Sequence, residues 1–396
     1  MSEKALSRVH VLDLTHHVAG PYCTKILADY GADVIKVERP GVGDASRGMG
    51  PFPDDKPHPE SSGLFLYLNT NKKSITVNMK SLTGLGILKE LLKQVDVVVE
   101  NFSPRVMPSL GLEYEALKKI NPSLVMVSIS NFGQTGPYRD CRATDLTIWG
   151  LSGILYELGE PDREPLKMGS NVAEYVAGLY GALVTLSALY YLDESNIGQH
   201  IDVSILEAFH TMQPSMTLVF SYAGFVRKRA GIHFPWGILP CQDGYVGFYL
   251  PTQTHWESLC TLLEMPELRD KPEYETPMTR EERRDEITAI IVSWLQGKRM
   301  EDVFHAAQEL RLPLTLVPNP EQLLDMPQHK ARRYFVDIEH PVAGKLTYPG
   351  APFKLSETSW QAGRAPLLGE HNEEIYCRRL GYSKEQLVKL REEGVI

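Results

Sequence analysis

The side chains able to do chemistry are few, and their spacing narrows what that chemistry can be. His16 and His17 are adjacent. On extended backbone such neighbours point to opposite sides, and no third ligand stands at a sensible spacing, so a metal site is not expected. Cys23, Cys141, Cys241, Cys260 and Cys377 are odd in number and widely spaced, with no C-x-x-C pair. They argue against a zinc knuckle or dithiol centre and fit a reducing cytoplasm. Glu174 stands immediately before the longest apolar stretch, residues 175–192. Taken alone it reads as an acid stabilising a first helical turn. The run G-V-G-D-A-S-R-G from Gly41 to Gly48 imitates a phosphate-binding loop with the wrong spacing. The first strand-to-helix turn, T-H-H-V-A-G-P, lacks G-x-G-x-x-G, and no Walker A sequence occurs, which disfavours nicotinamide and ATP chemistry.

These residues must be placed by an α/β scaffold. A strand is predicted over 9–14, then a polar loop over 15–20, then a helix opened by Pro21, whose missing N–H costs nothing in a first turn. Cys23, Ile26, Leu27 and Tyr30 form one apolar stripe, Gly31 can end the helix in the left-handed region, and a second strand follows over 34–38. This is a β-α-β unit, the mark of a parallel sheet with right-handed crossovers. Further strands are predicted at 74–79, 97–100 and 124–130, with a helix over 82–95. Ligands of such sheets bind at the carboxyl ends of the strands, which selects the loops 15–21, 39–44, 101–105 and 131–138.

Beyond residue 224 the texture changes. Pro235, Trp236 and Pro240 precede a hairpin signal at Asp243-Gly244, and a charged helix is predicted over 279–295. The expected organisation is a large α/β domain over 1–224, a smaller domain over 225–335, and a return to the large domain over 336–396, with 340–352 rich in Pro and Gly. The formal charge of -9 and the absence of a basic run argue against a nucleic-acid partner. The N-terminal segment has no secretory h-region. The stretch 175–192 contains Gly178, Gly181, Thr185 and Ser187, so it is expected to be a buried core helix and not a membrane span.

Several motifs occur in order: D-L-T-x-x-x-A-G-P at Asp13–Pro21, G-A-D-V-I-K-V-E-R at Gly31–Arg39 and E-N-F at Glu100–Phe102. They are followed by F-G-Q-T-G-P-Y at Phe132–Tyr138, G-Q-H-I-D-V-S at Gly198–Ser204 and P-L-L-G-E-H-N at Pro366–Asn372. Over the whole chain this resembles the class III CoA-transferases, among them the formyl-CoA:oxalate, carnitine and benzylsuccinate enzymes. The resemblance implies a Rossmann-like large domain, a small domain, an interlocked dimer and an active site between the domains. It also implies coenzyme A or acyl-CoA as substrate, with a small carboxylic acid as acceptor and no permanently bound cofactor. Catalysis would run through a carboxylate nucleophile carrying anhydride and thioester intermediates. The position of the family's aspartate is held here by Glu174. Arg39 and Lys80 match nucleotide contacts, His17 and Val77 their neighbours, and Asn101 and Phe102 the pantetheine channel. Val18 and Ala19 complete the implied CoA-binding set.

Departures from the family set the alternatives. Glutamate at 174 adds a methylene, Val18 replaces a glutamine of the formyl-CoA branch, and Ser109 replaces an arginine found in many relatives. The chain therefore reads as an active transferase, as a homodimer or paired with a sibling, or else as a non-catalytic CoA-binding subunit of a two-chain transferase. Acyl-CoA racemases of the same fold carry a histidine before the aspartate matching Asp145; Thr144 stands there, which makes racemisation the weaker reading. His371 is expected to serve the dimer or the domain junction.

Overall fold

A computed structural model describes residues 4–229, 234–360 and 362–396; the first three residues of the N-terminal segment lie outside that range. Two compact units emerge: Met1–Leu155, Lys167–Val226 and Arg333–Ile396 form the first, Tyr156–Leu166 and Arg227–Arg332 the second. Tyr156–Leu166 thus goes with the second unit, whereas the sequence reading assigned it to the large domain.

The first unit is built on a six-stranded sheet of order β3-β2-β1-β4-β5-β6, every neighbouring pair parallel. Its strands are β1 (His10–Asp13), β2 (Asp33–Glu38), β3 (Lys73–Thr76), β4 (Val97–Glu100), β5 (Val125–Ser130) and β6 (His200–Ser204). Val97, Val98 and Val99 are all inaccessible to solvent. Such unbroken apolar runs are what a sheet covered on both faces requires. The order reverses between β1 and β4, so the loops leaving those two strands diverge and open a crevice.

Helix α1 (Ala19–Asp29) begins two residues before Pro21, which occupies the first turn, where a proline is tolerated. Its predicted stripe is only partly the buried one: Cys23 and Leu27 are buried, Ile26 and Tyr30 half-buried. Helix α2 (Leu82–Leu92) is capped by Ser81, whose hydroxyl accepts the Gly84 N–H. The sixth strand was not anticipated; H-I-D-V-S is short and its outer half is exposed.

The apolar stretch forms most of helix α5 (Val172–Ser195), preceded by the short α3 (Tyr114–Ile120) and α4 (Asp145–Leu151). It is long and apolar enough to cross a membrane by length and composition. Within this chain it is buried along one face only, through Ala173, Ala177, Gly178, Gly181, Ala182, Thr185 and Ala188. Leu179, Leu183, Leu186, Tyr190 and Tyr191 are exposed on the rest of the helix. The expected buried core helix is therefore buried on one face, a small-residue stripe packed on α1, and open on an apolar face.

The Pro- and Gly-rich stretch 340–352 lies within the first unit, where it forms most of the turn and second strand of an antiparallel hairpin, Phe335–His340 with Gly344–Pro349. The G-E-H-N motif extends the sheet edge. The His371 N–H donates to the Ser74 carbonyl, and Asn372 accepts the Thr76 N–H at 2.9 Å while its amide donates to the Thr76 hydroxyl. His371 thus shields β3, an edge that would otherwise present unpaired backbone groups.

The second unit has a three-stranded antiparallel sheet, Trp236–Cys241, Gly244–Tyr249 and Leu314–Leu316. Trp256, Leu259, Ile287, Ile291 and Val303 pack into its core. The helix predicted over 279–295 is two, Pro277–Glu282 and Arg284–Leu295, parted where Arg283 leaves helical geometry at φ -110° and ψ 21°.

Candidate active site

The loop after β1 is held residue by residue. Asp13, at the strand end and fully buried, accepts the Thr15 N–H at 2.9 Å and the hydroxyls of Thr15 and Thr24, and pairs with the Lys72 ammonium at 3.0 Å. Lys36 donates to the Thr15 carbonyl and pairs with Asp44 at 2.7 Å, both side chains being inaccessible to solvent. Asp44 accepts the His17 N–H at 3.1 Å. Burial works to raise the Asp44 carboxyl, but Lys36 and the Ser46 N–H outweigh it and hold the group well below the usual carboxylate range. The charged residues of the D-L-T, I-K-V-E and G-D-A-S-R motifs are therefore a buried ionic frame. Glu38 completes it with a two-point contact to Arg47, at 2.7 and 2.8 Å.

A second clamp reaches the loop from β4. Asn101 accepts the His16 N–H at 2.9 Å and donates to the His16 carbonyl at 2.7 Å. The Phe102 ring lies 5.2 Å from the His16 ring, and its N–H donates to Glu100 at 2.8 Å. His17 adopts φ 64°, a left-handed conformation uncommon for a residue with a side chain. That twist turns the two histidine rings edge to face at 5.1 Å, where the expectation for extended backbone was opposite directions. Burial pushes His16 down to about 4, so its imidazole is neutral near pH 7. Burial also pushes Glu100 up to about 7, against the opposing hydrogen bonds from Ser128 and the Phe102 N–H.

His16, His17 and Phe102 line two adjoining clefts. One, of about 580 Å³, is also lined by Val18, Ala19, Asn101 and Glu174. The other, of about 850 Å³, is also lined by Arg39, Val77, Lys80 and Ser109. The structure thus places the implied nucleophile position with the implied pantetheine residues, and the implied nucleotide residues next door. Arg39 and Lys80 are exposed, and among the described residues neither side chain has an acidic partner. Ser109, whose neutral hydroxyl donates to the Val106 carbonyl, offers no cation at that position.

Glu174 lies in the first turn of α5, half-buried. The α5 N-cap residue, Asn171, does not cap; its amide donates to Glu174 Oε2 at 3.3 Å. Burial raises the Glu174 carboxyl above its ordinary value, the Asn171 contact lowers it, and Asp145 raises it further. The start of α1 beside this cleft has no side-chain cap, which leaves the Ala19 and Gly20 N–H groups without a capping acceptor and able to face a developing oxyanion. What brings the two helix starts together is Gly178: a Cβ there would lie 2.5 Å from the Ala19 carbonyl oxygen. Lys167 and Arg142 were not singled out by sequence. Lys167 pairs with Asp145 at 2.7 Å, and Arg142 lines the Glu174 cleft. Neither lies in a recognisable local pattern.

Residues 6–372 match the profile of CoA-transferase family III. The chain belongs to that family. It is similar to the formyl-CoA:oxalate CoA-transferase of Rhodopseudomonas palustris strain BisA53, at 33% identity covering 99% of this chain and 97% of the relative. The succinyl-CoA–D-citramalate CoA-transferase of Chloroflexus aurantiacus is 32% identical, covering 99% and 98%. Among solved structures, a CAIB/BAIF family protein from Brucella suis superposes with a TM-score of 0.85 and 31% identity, over 95% of this chain and 99% of that one. The class III CoA-transferases accordingly supply both the fold and the reaction class.

Proposed function

We propose that this class III CoA-transferase moves CoA from an acyl-CoA donor to a small carboxylic acid, with Glu174 as the nucleophile. The observation that carries the reading is the shared cleft: the only carboxylate of the first α5 turn opens into the same space as the α1 start, beside a second cleft rimmed by Arg39 and Lys80. Glu174 attacks the thioester carbonyl, the C–S bond breaks, and CoA thiolate leaves an enzyme-bound mixed anhydride. The thiolate then attacks the Glu174 carbonyl, releasing the donor acid and leaving a glutamyl-CoA thioester. Attack by the acceptor carboxylate and return of the thiolate to the acyl carbon regenerate Glu174. In this scheme the Arg39 guanidinium and Lys80 ammonium take the CoA phosphates, His17 and Val77 flank the nucleotide, and Val18, Ala19, Asn101 and Phe102 line the pantetheine arm.

The open apolar face of α5 favours a partner chain as part of the working protein. The five free cysteines fit a reducing cytoplasm. Racemisation finds less support: Thr144 offers no base, and its N–H is tied to the Thr147 hydroxyl at 2.7 Å.

The test is intact-mass analysis and peptide mapping of the chain mixed with a panel of acyl-CoA donors, before and after hydroxylamine. The reading expects an adduct on Glu174 that hydroxylamine removes and that Glu174→Gln lacks. CoA binding without an adduct from any donor would favour a non-catalytic subunit.

A further inference from the structure

Lys167 has no place in the scheme above, yet it is the most heavily bonded side chain near the nucleophile. Its ammonium pairs with Asp145 Oδ2 at 2.7 Å and donates to the carbonyls of Met168 and Ser170, each at 2.8 Å. Two of its N–H groups are donated to backbone carbonyls, and the Asp145 contact is a charge pair. The contacts close residues 167–170 into a compact loop directly before Asn171, and Ser170 there adopts φ 68°. The other oxygen of Asp145 accepts the Ala173 N–H at 3.2 Å.

Asp145 therefore does the capping that Asn171 does not do, while the Asn171 amide donates to Glu174. An uncompensated Asp145 carboxylate would repel Glu174, whose ionised form it already disfavours. The Lys167 ammonium sits on the opposite oxygen and offsets part of that charge. One cation thus fixes the loop into α5 and fixes the residue that caps α5.

We infer that Lys167 is a positioning residue for the transferase reaction: through Asp145 and the 167–170 loop it holds the first turn of α5 so that Glu174 meets the thioester carbonyl. The inference rests on Glu174 being the nucleophile. It assigns Lys167 no contact with substrate, so its loss should slow the chemical step and leave CoA binding intact.

The experiment compares wild type, Lys167→Met and Lys167→Arg by single-turnover adduct formation on Glu174, by CoA affinity and by Tm. A misplacement near 1 Å costs on the order of a hundredfold, so Lys167→Met is expected to form the adduct roughly ten- to a hundredfold more slowly, with CoA affinity within about twofold of wild type. Lys167→Arg keeps the charge and several donors and should recover most of the rate, even if both variants lose some Tm. The inference is overturned if Lys167→Met reacts at the wild-type rate, or if rate and CoA affinity fall together. An adduct absent from wild type as well overturns the nucleophile assignment itself, and the inference with it.

Discussion

Gly178 meets the carbonyl oxygen of Ala19 with no room for a side chain: a Cβ would stand 2.5 Å from it. Gly178 lies one helical turn after Glu174 on the same face of α5, so the contact sets the distance between the turn that carries Glu174 and the start of α1. Gly178→Ala must therefore push the two helices apart. Overpacking of this kind costs about 1–3 kcal/mol, so Tm should fall by a few degrees and adduct formation on Glu174 should slow. Unchanged Tm and rate would show that the helices absorb the methyl group without moving.

Glu174→Asp restores the residue type of the family but not its geometry. The loss of one methylene draws the carboxylate back by ~1.5 Å, and the Asn171 contact at 3.3 Å is made to the longer side chain. Adduct formation is expected to drop roughly tenfold or more while hydroxylamine still removes what forms. A faster Glu174→Asp enzyme in single-turnover kinetics would mean that the pocket remains shaped for aspartate.

Arg39 and Lys80 should act on the nucleotide end of CoA alone. Each replacement by alanine is expected to weaken CoA binding by about five- to tenfold, an effect that shrinks as salt is raised. Titration calorimetry with CoA and with a pantetheine thioester lacking the nucleotide provides the check. Equal losses with both ligands would place the cations elsewhere in the site.

Glu100 predicts a pH-dependent stability of definite sign. Its folded value, about 7, lies above the ordinary 4.5 because burial disfavours the charged form. The stability it contributes is thus fully present below pH 4.5 and is lost as pH rises through 7. Glu100→Gln can still accept the Phe102 N–H and does not titrate. Its Tm relative to wild type should rise from pH 5 to pH 8, by an amount equivalent to about 1–3 kcal/mol. A difference that stays constant across that range would mean Glu100 is ionised throughout.

Much of the architecture was written locally. The alternation of apolar strand and striped helix over 9–38 encodes a β-α-β unit whatever surrounds it, because both periodicities are properties of a few consecutive residues. The strand ends then point to the loops in which His17, Val18, Ala19, Arg39, Asn101 and Phe102 are found. Motif order carried the family. The acid before the apolar stretch was visible too, though by itself it looked like any residue that favours a helix start.

Tertiary structure alone decided which polar groups meet. Asp13 and Lys72 are 59 positions apart, Asn101 and His16 are 85 apart, and Asn372 lies 296 from the Thr76 it pairs with. No periodicity spans such distances; those pairings exist because the sheet order brings the strand ends side by side. The capping of α5 by Asp145 instead of Asn171, and the exposure of one face of an otherwise apolar helix, depend in the same way on what is packed nearby. The sequence determined the class of scaffold and the identity of its loops. Only the folded chain decided that the motif charges form a buried frame, and that Glu174, the α1 start and Phe102 share one cleft, because burial and close approach are properties of neighbours in space.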